Sequence, residues 1–377
     1  MNVLVTGGAG FIGSWLIESL TGDDHRVTVL DSLSPQIHGS NPALDVPWLD
    51  PERGVSFVRG DVRDAALVDR LLADHDTVVH LAAETGTGQS MYQIGHYYEV
   101  NVQATASLFE AIATRHRHVR HVVLASSRSI YGEGAYLLDS QVIVPPPRDA
   151  KRMAAGLWEP LGPGERAIHL IATPEDAAPS PASIYAATKL ATEQMGRVFA
   201  DAYGIGVTAL RFQNVYGERQ SLRNPYTGIL SIFSNRMRQG LPINIFEDGL
   251  ESRDFVHVTD VVRSIRLSLE RDSRSYSVFN IGSGVPTSVM EMTRVLAASL
   301  RSNSELQVSG DFRAGDIRHC YADLKRATAT LGYRPSVTFD EGLARFCGWV
   351  CTQAIVEDRS GQAQAELSRM GLGSAAS

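Results

Sequence analysis

Short apolar runs alternate with amphipathic segments through the N-terminal half of the chain. The runs are rich in valine, leucine and threonine and nearly continuous, which is typical of parallel strands buried on both faces. Six such strands are predicted, at Asn2–Thr6, Arg26–Leu30, Val55–Arg59, Thr77–Leu81, His121–Ala125 and Gly206–Arg211. Helical spacing of apolar positions predicts helices at Phe11–Leu20, Ala65–Ala73, Tyr97–Arg115 and Ile184–Tyr203. The alternation predicts an α/β fold, a doubly wound parallel sheet that binds ligands at the carboxyl ends of its strands.

The alternation ends near Gly217, after which turn signals separate shorter elements. Further helices are predicted at Val258–Leu269, Val289–Leu300 and Phe339–Cys351. We interpret this region as a smaller C-terminal lobe that binds substrate and closes over the strand ends. The predicted Rossmann-type domain comprises residues 1–215 and about 252–278, and the smaller lobe comprises residues 216–251 and 279–351.

Two segments do not fit this scheme. Residues 133–184 are rich in proline and glycine and join the fifth strand to the fourth helix. Connections longer than about 12–15 residues are uncommon in compact domains, so we predict an insertion at about 133–181. It begins and ends at the predicted ligand crevice, and we therefore expect it to shape or cover the pocket. Residues 352–377 are small and polar, which predicts a flexible tail.

Composition narrows the class of protein. The 377 residues are 44% hydrophobic and 20% charged, with a formal net charge of −7, as in folded globular domains. An acidic chain without a clustered basic face disfavours nucleic acid as a partner. No apolar run reaches the ~20 residues that span a bilayer, and no signal peptide is visible. Three cysteines suit a reducing compartment, so a cytoplasmic protein is predicted. Cys347 and Cys351 lack a second ligand pair, so no metal site is expected.

A glycine-rich turn directly follows the first predicted strand and opens the first helix. Gly7, Gly10 and Gly13 form a GxxGxxG pattern that also contains Phe11 and Ile12. Glycines at these positions permit a tight turn and a close approach of a pyrophosphate to the backbone. The unpaired N–H groups and the dipole of the helix N-terminus then favour the phosphates. The pattern therefore predicts a dinucleotide-binding turn.

Asp31 closes the second strand, where an acid can accept hydrogen bonds from the adenosine ribose. Its carboxylate repels a 2′-phosphate and the next three residues contain no arginine, so the sequence favours NAD over NADP. Other candidate cofactor contacts lie at the ends of neighbouring strands or in the adjoining segments; they are Ser34, Asp61, Val62, Leu81, Ala82, Ala83, Asn101 and Ser126.

A tyrosine and a lysine are four residues apart on the fourth predicted helix. Tyr185 and Lys189 therefore share one helix face, and Lys189 is one of only three lysines in the chain. A phenol titrates near 10, so it needs a nearby cation to act as a base around neutrality. Lys189 can supply that charge and can donate to ribose hydroxyls. Ser127, at the end of the fifth strand, can orient a reacting hydroxyl beside Tyr185.

These motifs together resemble the extended short-chain dehydrogenase/reductase superfamily, in its NAD-dependent epimerase/dehydratase family acting on nucleotide sugars. The matching stretches are TGGAGFIG from Thr6, GDVRD from Gly60, HLAA from His80, SSRSIYG from Ser126, YAATK from Tyr185, LRFQNVYG from Leu210, RDFVHVTDV from Arg253, FNIGSG from Phe279 and RAGDIRH from Arg313. They run in order across most of the chain, which makes the resemblance specific.

The resemblance implies roles for individual residues. Ser127, Tyr185 and Lys189 are implied to be catalytic, and Phe212 is implied to lie near the nicotinamide. The residues implied around the nucleotide diphosphate-sugar are Asn214, Arg253, Asn280, Arg313 and Asp316. The planar forks of the two arginines suit a pyrophosphate. Thr85 and Thr87 follow HLAA and are expected beside the sugar, in a segment whose glycines leave room for it to rotate.

One pair of positions separates branches of the family. Relatives that dehydrate hexoses carry an Asp-Glu pair where this chain has Arg128-Ser129, so water elimination lacks its acid and base. The pattern instead resembles the 4-epimerases, in particular the bacterial dTDP-L-rhamnose 4-epimerase-like subgroup. That subgroup carries a cysteine-containing segment after Trp-Glu-Pro. In this chain no such segment follows Trp158-Glu159-Pro160. The resemblance implies inversion at C4 of a UDP- or dTDP-linked hexose through a 4-keto intermediate.

Two alternatives remain open. A nucleotide-sugar ketoreductase or dehydrogenase would use the same residues with net redox. A non-catalytic NAD-sensing regulator would typically lose the Tyr/Lys pair, which this chain keeps. The resemblance also implies a homodimer, formed through the helices at Tyr97–Arg115 and Ile184–Tyr203.

Overall fold

Strands and helices alternate through the first part of the chain. The computed structural model describes residues 1–22, 25–40, 42, 48–226, 228–313 and 315–374. The first elements are β1 (Asn2–Thr6), α1 (Phe11–Leu20), β2 (Arg26–Asp31), α2 (Pro35–His38), β3 (Val55–Arg59), α3 (Ala65–Leu72), β4 (Thr77–His80), α4 (Thr87–Ser90), α5 (Ile94–Tyr97), α6 (Ala104–Thr114) and β5 (His121–Ser127). A π-helical segment, Tyr98–Gln103, joins α5 to α6, so the helix predicted there is continuous but locally distorted.

The insertion folds as a small unit of its own. Its elements are β6 (Tyr136–Leu138), β7 (Gln141–Ile143), α7 (Ala150–Ala154) and β8 (His169–Leu170). β6 is the central strand of a three-stranded antiparallel sheet. Apolar residues on either side of the sheet, including Ala135 and Ala177, pack with Ile317 and Cys320 of the smaller lobe.

The remainder of the chain completes the large sheet and builds the smaller lobe. Its elements are α8 (Ile184–Tyr203), β9 (Gly206–Phe212), β10 (Asn214–Tyr216), α9 (Ile229–Arg238), β11 (Ile243–Ile245), β12 (Ser252–His257), α10 (Val258–Leu269), β13 (Tyr276–Ile281), β14 (Pro286–Ser288), α11 (Val289–Leu300), β15 (Leu306–Val308), β16 (Phe312–Arg313), β17 (His319–Cys320), α12 (Lys325–Leu331), α13 (Phe339–Thr352), α14 (Ser360–Arg369) and β18 (Gly373–Ser374).

Seven parallel strands form the central sheet in the order β13-β9-β5-β4-β1-β2-β3. The order reverses beside β1, which creates the crevice at the strand ends where such sheets bind ligands. Two hydrophobic clusters cover its two faces, as the continuous apolar strands predict. β13 was not predicted as a strand. Because it pairs with β9, the large domain extends to Ile281 rather than ending near residue 278.

The smaller lobe centres on β12, which pairs with β10, β14 and β17. Residues 252–257 therefore belong to this second sheet and not to the large domain, because within the described part of the chain β12 pairs with no strand of the central sheet. A third hydrophobic cluster, contributed mainly by α9, α11 and α13, forms the core of the lobe. Among the described residues, no helix combines the length and the apolar character needed to cross a membrane.

Candidate active site

One cavity of about 1180 Å³ lies at the carboxyl ends of the central strands, between the large domain and the smaller lobe. We call it the interlobe cavity. Pockets for drug-sized ligands occupy roughly 300–1,000 Å³, so this cavity is larger than such a pocket. It is lined by almost every predicted site residue: Gly7, Gly10, Phe11, Ile12, Gly13, Asp31, Ser34, Asp61, Val62, Leu81, Ala82, Ala83, Thr85, Thr87, Ser126, Ser127, Tyr185, Lys189, Phe212, Asn214, Arg253, Arg313 and Asp316.

Asn101 and Asn280, in contrast, lie behind the cavity wall. The Asn101 amide hydrogen-bonds to the backbone of Glu84 and to the Thr188 hydroxyl. Asn280 is fully buried, accepts from the Tyr131 hydroxyl and donates to backbone carbonyls. Their polar atoms are already satisfied inside the protein, and the ligand contacts expected of these two residues stay predictions.

The glycine-rich turn has the shape that a pyrophosphate requires. Gly7 has a φ of +70°, and a Cβ there would lie 2.6 Å from the backbone nitrogen of Ala82. A Cβ on Gly13 would lie 2.5 Å from the Cα of Gly8. Among the described residues, no side chain caps the N-terminus of α1 at Gly10. Its first N–H groups are therefore left for an anionic ligand, which fits a dinucleotide phosphate.

The Asp31 carboxylate lies at the adenosine end of the interlobe cavity. It accepts hydrogen bonds from the backbone N–H groups of Ala9 (3.0 Å) and Leu33 (2.8 Å). A carboxylate offers about four acceptor sites, so capacity remains for ribose hydroxyls. The cation Arg63 also lines this end. Its guanidinium pairs with the Asp61 carboxylate at 2.7 Å.

Lys189 lies beneath the candidate base. Its ammonium donates to the carbonyl of Ala125 (2.9 Å) and lies 5.8 Å from the centroid of the Tyr185 ring. Burial lowers the pKa of Lys189 to about 8, although the nearby Glu193 carboxylate opposes the shift. The lysine is therefore held at the bottom of the interlobe cavity with donors left over.

The pKa of the Tyr185 phenol is raised above its ordinary value as the result of opposing effects. Burial raises the pKa, whereas a hydrogen bond with Ser127 and the positive charge of Arg128 lower it. Arg128 lines the interlobe cavity, and its Nε donates to the side-chain oxygen of Asn214 (3.0 Å). Burial lowers the pKa of Arg128, and the charge of Arg253 lowers it further. The sequence indicates Arg128 only as a replacement for an acid. It does not indicate the effect of Arg128 on the pKa of Tyr185.

Two arginines approach the cavity from the smaller lobe. Arg253 donates to the carbonyls of Ser252, Ile317 and Arg318, which uses three of its five N–H donors. The guanidinium carbon of Arg313 lies 4.6 Å from the centroid of the Phe246 ring. Its Nε is buried without a hydrogen-bond partner among the described residues. The N–H donors of the two arginines that are not used in these contacts suit the phosphates of a nucleotide.

The insertion supports the cavity wall without lining it. None of its residues 133–181, all of which are described, faces the interlobe cavity. Buried Arg148 instead pairs with Glu133 (2.9 Å) and with Glu247 (2.8 Å), and Glu247 does line the cavity. Arg318 joins the same cluster through Glu247 (3.0 Å). The insertion thus supports the cavity wall from behind through charged side chains that face the smaller lobe, and its role in shaping or covering the pocket stays a prediction.

Residues near the C-terminal end of the chain also line the cavity, which differs from the predicted flexible tail. The structure forms helix α14 within the segment predicted to be mobile, while residues 375–377 lie outside the described residues. Ala363 and Leu367, four residues apart, are its buried side chains, and they contribute to the cavity wall. This i, i+4 apolar pair was the signal in the sequence, but its small and polar neighbours obscured it.

Comparison with known proteins shows a family and individual proteins to which this chain is similar. The model of the NAD dependent epimerase/dehydratase family matches residues 3–150 and 160–282. The dTDP-L-rhamnose 4-epimerase of Burkholderia thailandensis is 40% identical over 355 residues, 93% of this chain and 95% of that protein. The dTDP-glucose 4,6-dehydratase of an Actinoplanes species is 31% identical, covering 93% and 97%. The structure of MoeE5 in complex with UDP-glucuronic acid and NAD has a TM-score of 0.73 and 32% identity, covering 93% and 99%.

Proposed function

The chain belongs to the NAD dependent epimerase/dehydratase family, and from this premise we propose that it inverts C4 of a nucleotide-diphosphate hexose. The observation that carries the proposal is the interlobe cavity. It runs from the glycine-rich turn, past Ser127, Tyr185 and Lys189, to Arg253 and Arg313. A nucleotide cofactor and a nucleotide sugar can therefore meet at the catalytic residues.

The chain's own residues would act on the sugar as follows. When NAD is bound, it supplies a reversible hydride acceptor for C4. Tyr185, ionised, takes the proton of the C4 hydroxyl and returns it to the 4-keto oxygen. Ser127 orients that hydroxyl, and Lys189 holds the cofactor ribose through the donors that Ala125 leaves free. Arg253 anchors the diphosphate while the 4-keto sugar turns over in the cavity.

The positions beside the catalytic serine favour epimerisation over dehydration. Arg128 and Ser129 occupy the place of the acid pair with which relatives eliminate water. A guanidinium neither accepts nor donates protons near neutral pH, so it cannot act as a general acid or base there. The dehydratases among the relatives are therefore a less suitable guide to this chain than the 4-epimerases.

Candidate substrates are dTDP- and UDP-linked hexoses, with dTDP-L-rhamnose first because the relative with 40% identity bears that name. The test is incubation with dTDP-L-rhamnose, dTDP-glucose, UDP-glucose and UDP-glucuronic acid, followed by chromatographic separation of products. An epimerase interconverts C4 epimers with no net change in absorbance at 340 nm. A net change with turnover would support a dehydrogenase or ketoreductase instead. Complete inactivity of the purified holoenzyme on all such sugars would contradict the proposal.

We also propose a cytoplasmic homodimer. Exposed apolar side chains on adjoining helical segments suit a second copy: Ile94 (48% exposed), Tyr98 (41%) and Val198 (69%). Buried free thiols at Cys320 and Cys347 suit a reducing compartment. Light scattering coupled to gel filtration measures the mass. Val198→Glu is expected to yield monomers, and a monomeric wild type would contradict the dimer.

A further inference from the structure

Residues 358–374, which we call the strap, cross the interlobe cavity on the side of the smaller lobe. We propose that the strap is a wall of the nucleotide-sugar site, that Gln364 contacts the substrate, and that the strap opens for substrate and product to exchange. The inference rests on the proposed function, since it concerns the same cavity. It adds a specificity-determining segment that lies outside the catalytic motifs.

The strap lines the cavity along its length. Six of its residues face the cavity, namely Ser360, Gly361, Ala363, Gln364, Leu367 and Leu372. Leu367 packs against Gly88, where a Cβ would lie 3.1 Å from its side chain. Beyond α14, β18 pairs with β16, the strand that contains Arg313. The strap thus joins the loop after β4, on the large domain, to the predicted phosphate-binding strand.

A three-residue latch holds the strap closed. One carboxylate oxygen of Glu366 accepts hydrogen bonds from the hydroxyls of Tyr92 and Tyr226, each at 2.8 Å. The three side chains come from α14, from the loop after α4 and from the segment after β10. At the start of the strap, Asp358 pairs with Arg236 of α9. The latch therefore requires all three segments to be in place at once.

The contacts of the strap are few and mostly polar. Within α14 only Ala363 and Leu367 are buried, and the remaining side chains are partly or fully exposed. Segments held by few buried apolar contacts open at a small cost in free energy compared with core elements. Segments of this kind commonly close over bound substrates and open for release. The latch can thus break and reform without disturbing either hydrophobic core.

Gln364 is the strap residue with unused polar atoms in the cavity. Its side chain is half-buried, and no described residue hydrogen-bonds to it. A primary amide has two donors and one carbonyl acceptor, which suits hydroxyls and phosphate oxygens of a nucleotide sugar. Gln362, two residues earlier, is exposed and does not line the cavity. The two glutamines therefore form a matched pair for a test.

The first experiment compares Gln364→Ala with Gln362→Ala in the holoenzyme. Binding of UDP and dTDP is measured by calorimetry, and KM and kcat are measured on whichever sugar the wild type epimerises. Loss of a hydrogen bond to the substrate is expected to raise KM about fivefold with little change in kcat, in Gln364→Ala alone. Equal KM values in both variants and the wild type would overturn the contact. Wild-type protein that binds neither nucleotide and epimerises no sugar would instead refute the proposed function.

The second experiment tests opening. Hydrogen exchange of residues 358–374 is followed with and without saturating UDP or dTDP. Nucleotide is expected to slow exchange in the strap, and Glu366→Ala is expected to accelerate it and to speed nucleotide dissociation. Glu357→Ala is the control, because Glu357 is exposed and pairs only with Arg359 among the described residues. Exchange in the strap that responds to neither nucleotide nor the latch mutation would overturn the proposal.

Discussion

At the scale of single residues, a cation that does not lie on its own helix acts on the pKa of the Tyr185 phenol. The positive charge of Arg128 lowers the pKa of Tyr185 against the effect of burial. For the variant Arg128→Met we therefore expect a higher pKa of Tyr185. The increase of kcat/KM with pH is then expected to occur at a higher pH than in the wild type. A shift of about one unit would cost about tenfold in activity below the pKa. The measurement is the pH profile of kcat/KM.

Arg128→Lys is the matched control, because it keeps a positive charge while losing the planar fork that reaches Asn214. Its pH profile is expected to stay close to that of the wild type. If Arg128→Met instead raised KM and left the pH profile in place, Arg128 would bind substrate without tuning the base.

Glu251 makes stability depend on pH. It is 7% exposed, and burial raises its pKa to about 7, with the charge of Arg253 opposing. Since the folded pKa lies above the unfolded one, the folded state holds the proton more tightly. Glu251 therefore stabilises the fold at low pH, and this contribution is lost as pH rises through about 7. We expect Glu251→Gln to raise the unfolding temperature at pH 8 by a few degrees and to leave it unchanged at pH 4. Thermal unfolding of the variant and the wild type at pH 4 and pH 8 measures this difference. An equal change in unfolding temperature at the two pH values would contradict the prediction.

At the scale of elements, the insertion is anchored to the smaller lobe by charge. Glu247 adopts a φ of +50°, which is strained for a residue other than glycine, and its carboxylate holds both Arg148 and Arg318. Removing one partner of a buried ion pair typically costs about 3–5 kcal/mol, because the other charge is left uncompensated. Arg148→Met is therefore expected to destabilise the protein by about that amount in denaturant unfolding. It is also expected to raise KM for the nucleotide sugar while NAD binding is retained.

The double variant Arg148→Met/Glu133→Gln provides the control. It removes the cation together with Glu133, the carboxylate whose ion-pair partner is lost, so part of the lost stability should return. Additive losses from the two changes would show that the ion pair itself contributes little. Unchanged KM in Arg148→Met would show that the insertion does not support the substrate wall.

Elements of the central sheet could be predicted because their signals are local. The bounds of α1, α8, α10 and α11 follow directly from apolar spacing, and each predicted strand is present. β13 escaped prediction because its first three residues are only partly buried, so the run Tyr276–Ile281 lacks a continuous apolar pattern. α14 escaped because its apolar face consists of one alanine and one leucine. The orientation of the insertion depends on ion pairs between residues about a hundred positions apart, which no local pattern contains.

At the scale of the whole molecule, the proposed function places two ligands in two parts of one cavity. A ligand at a hundred times its Kd stabilises the folded state by about 2.7 kcal/mol. Arg253→Met removes donors from the smaller lobe and leaves the glycine-rich turn untouched. The variant is therefore expected to keep the rise in unfolding temperature caused by NAD and to lose most of the rise caused by UDP or dTDP. Loss of both responses would show that the two halves of the site do not bind independently.

Residues that line the cavity could be predicted from the sequence where side chains with suitable chemistry lie at the ends of strands. Gly7, Asp31 and Ser127 face the interlobe cavity because parallel strands bring their carboxyl ends to one edge of the sheet, and Tyr185 faces it from the first turn of α8. Gln364 could not be placed in the same way, because nothing in its neighbourhood marks it as lining a cavity. Which distant segment closes a pocket is decided by tertiary packing.

The pairing of β5 with β9 has a consequence for how this chain folds during its synthesis. His121–Ser127 lies beside Gly206–Phe212, and the insertion separates the two strands in sequence. Until the later strand emerges, β5 presents an open edge of apolar residues, which is a template for aggregation. We expect a chain ended after Tyr203 to aggregate, and one ended after Ile281, with β9 and β13 in place, to aggregate far less. Newly made molecules therefore pass through a stage at which this apolar strand edge is uncovered, and a chaperone that covers strand edges is expected to raise the yield of folded protein.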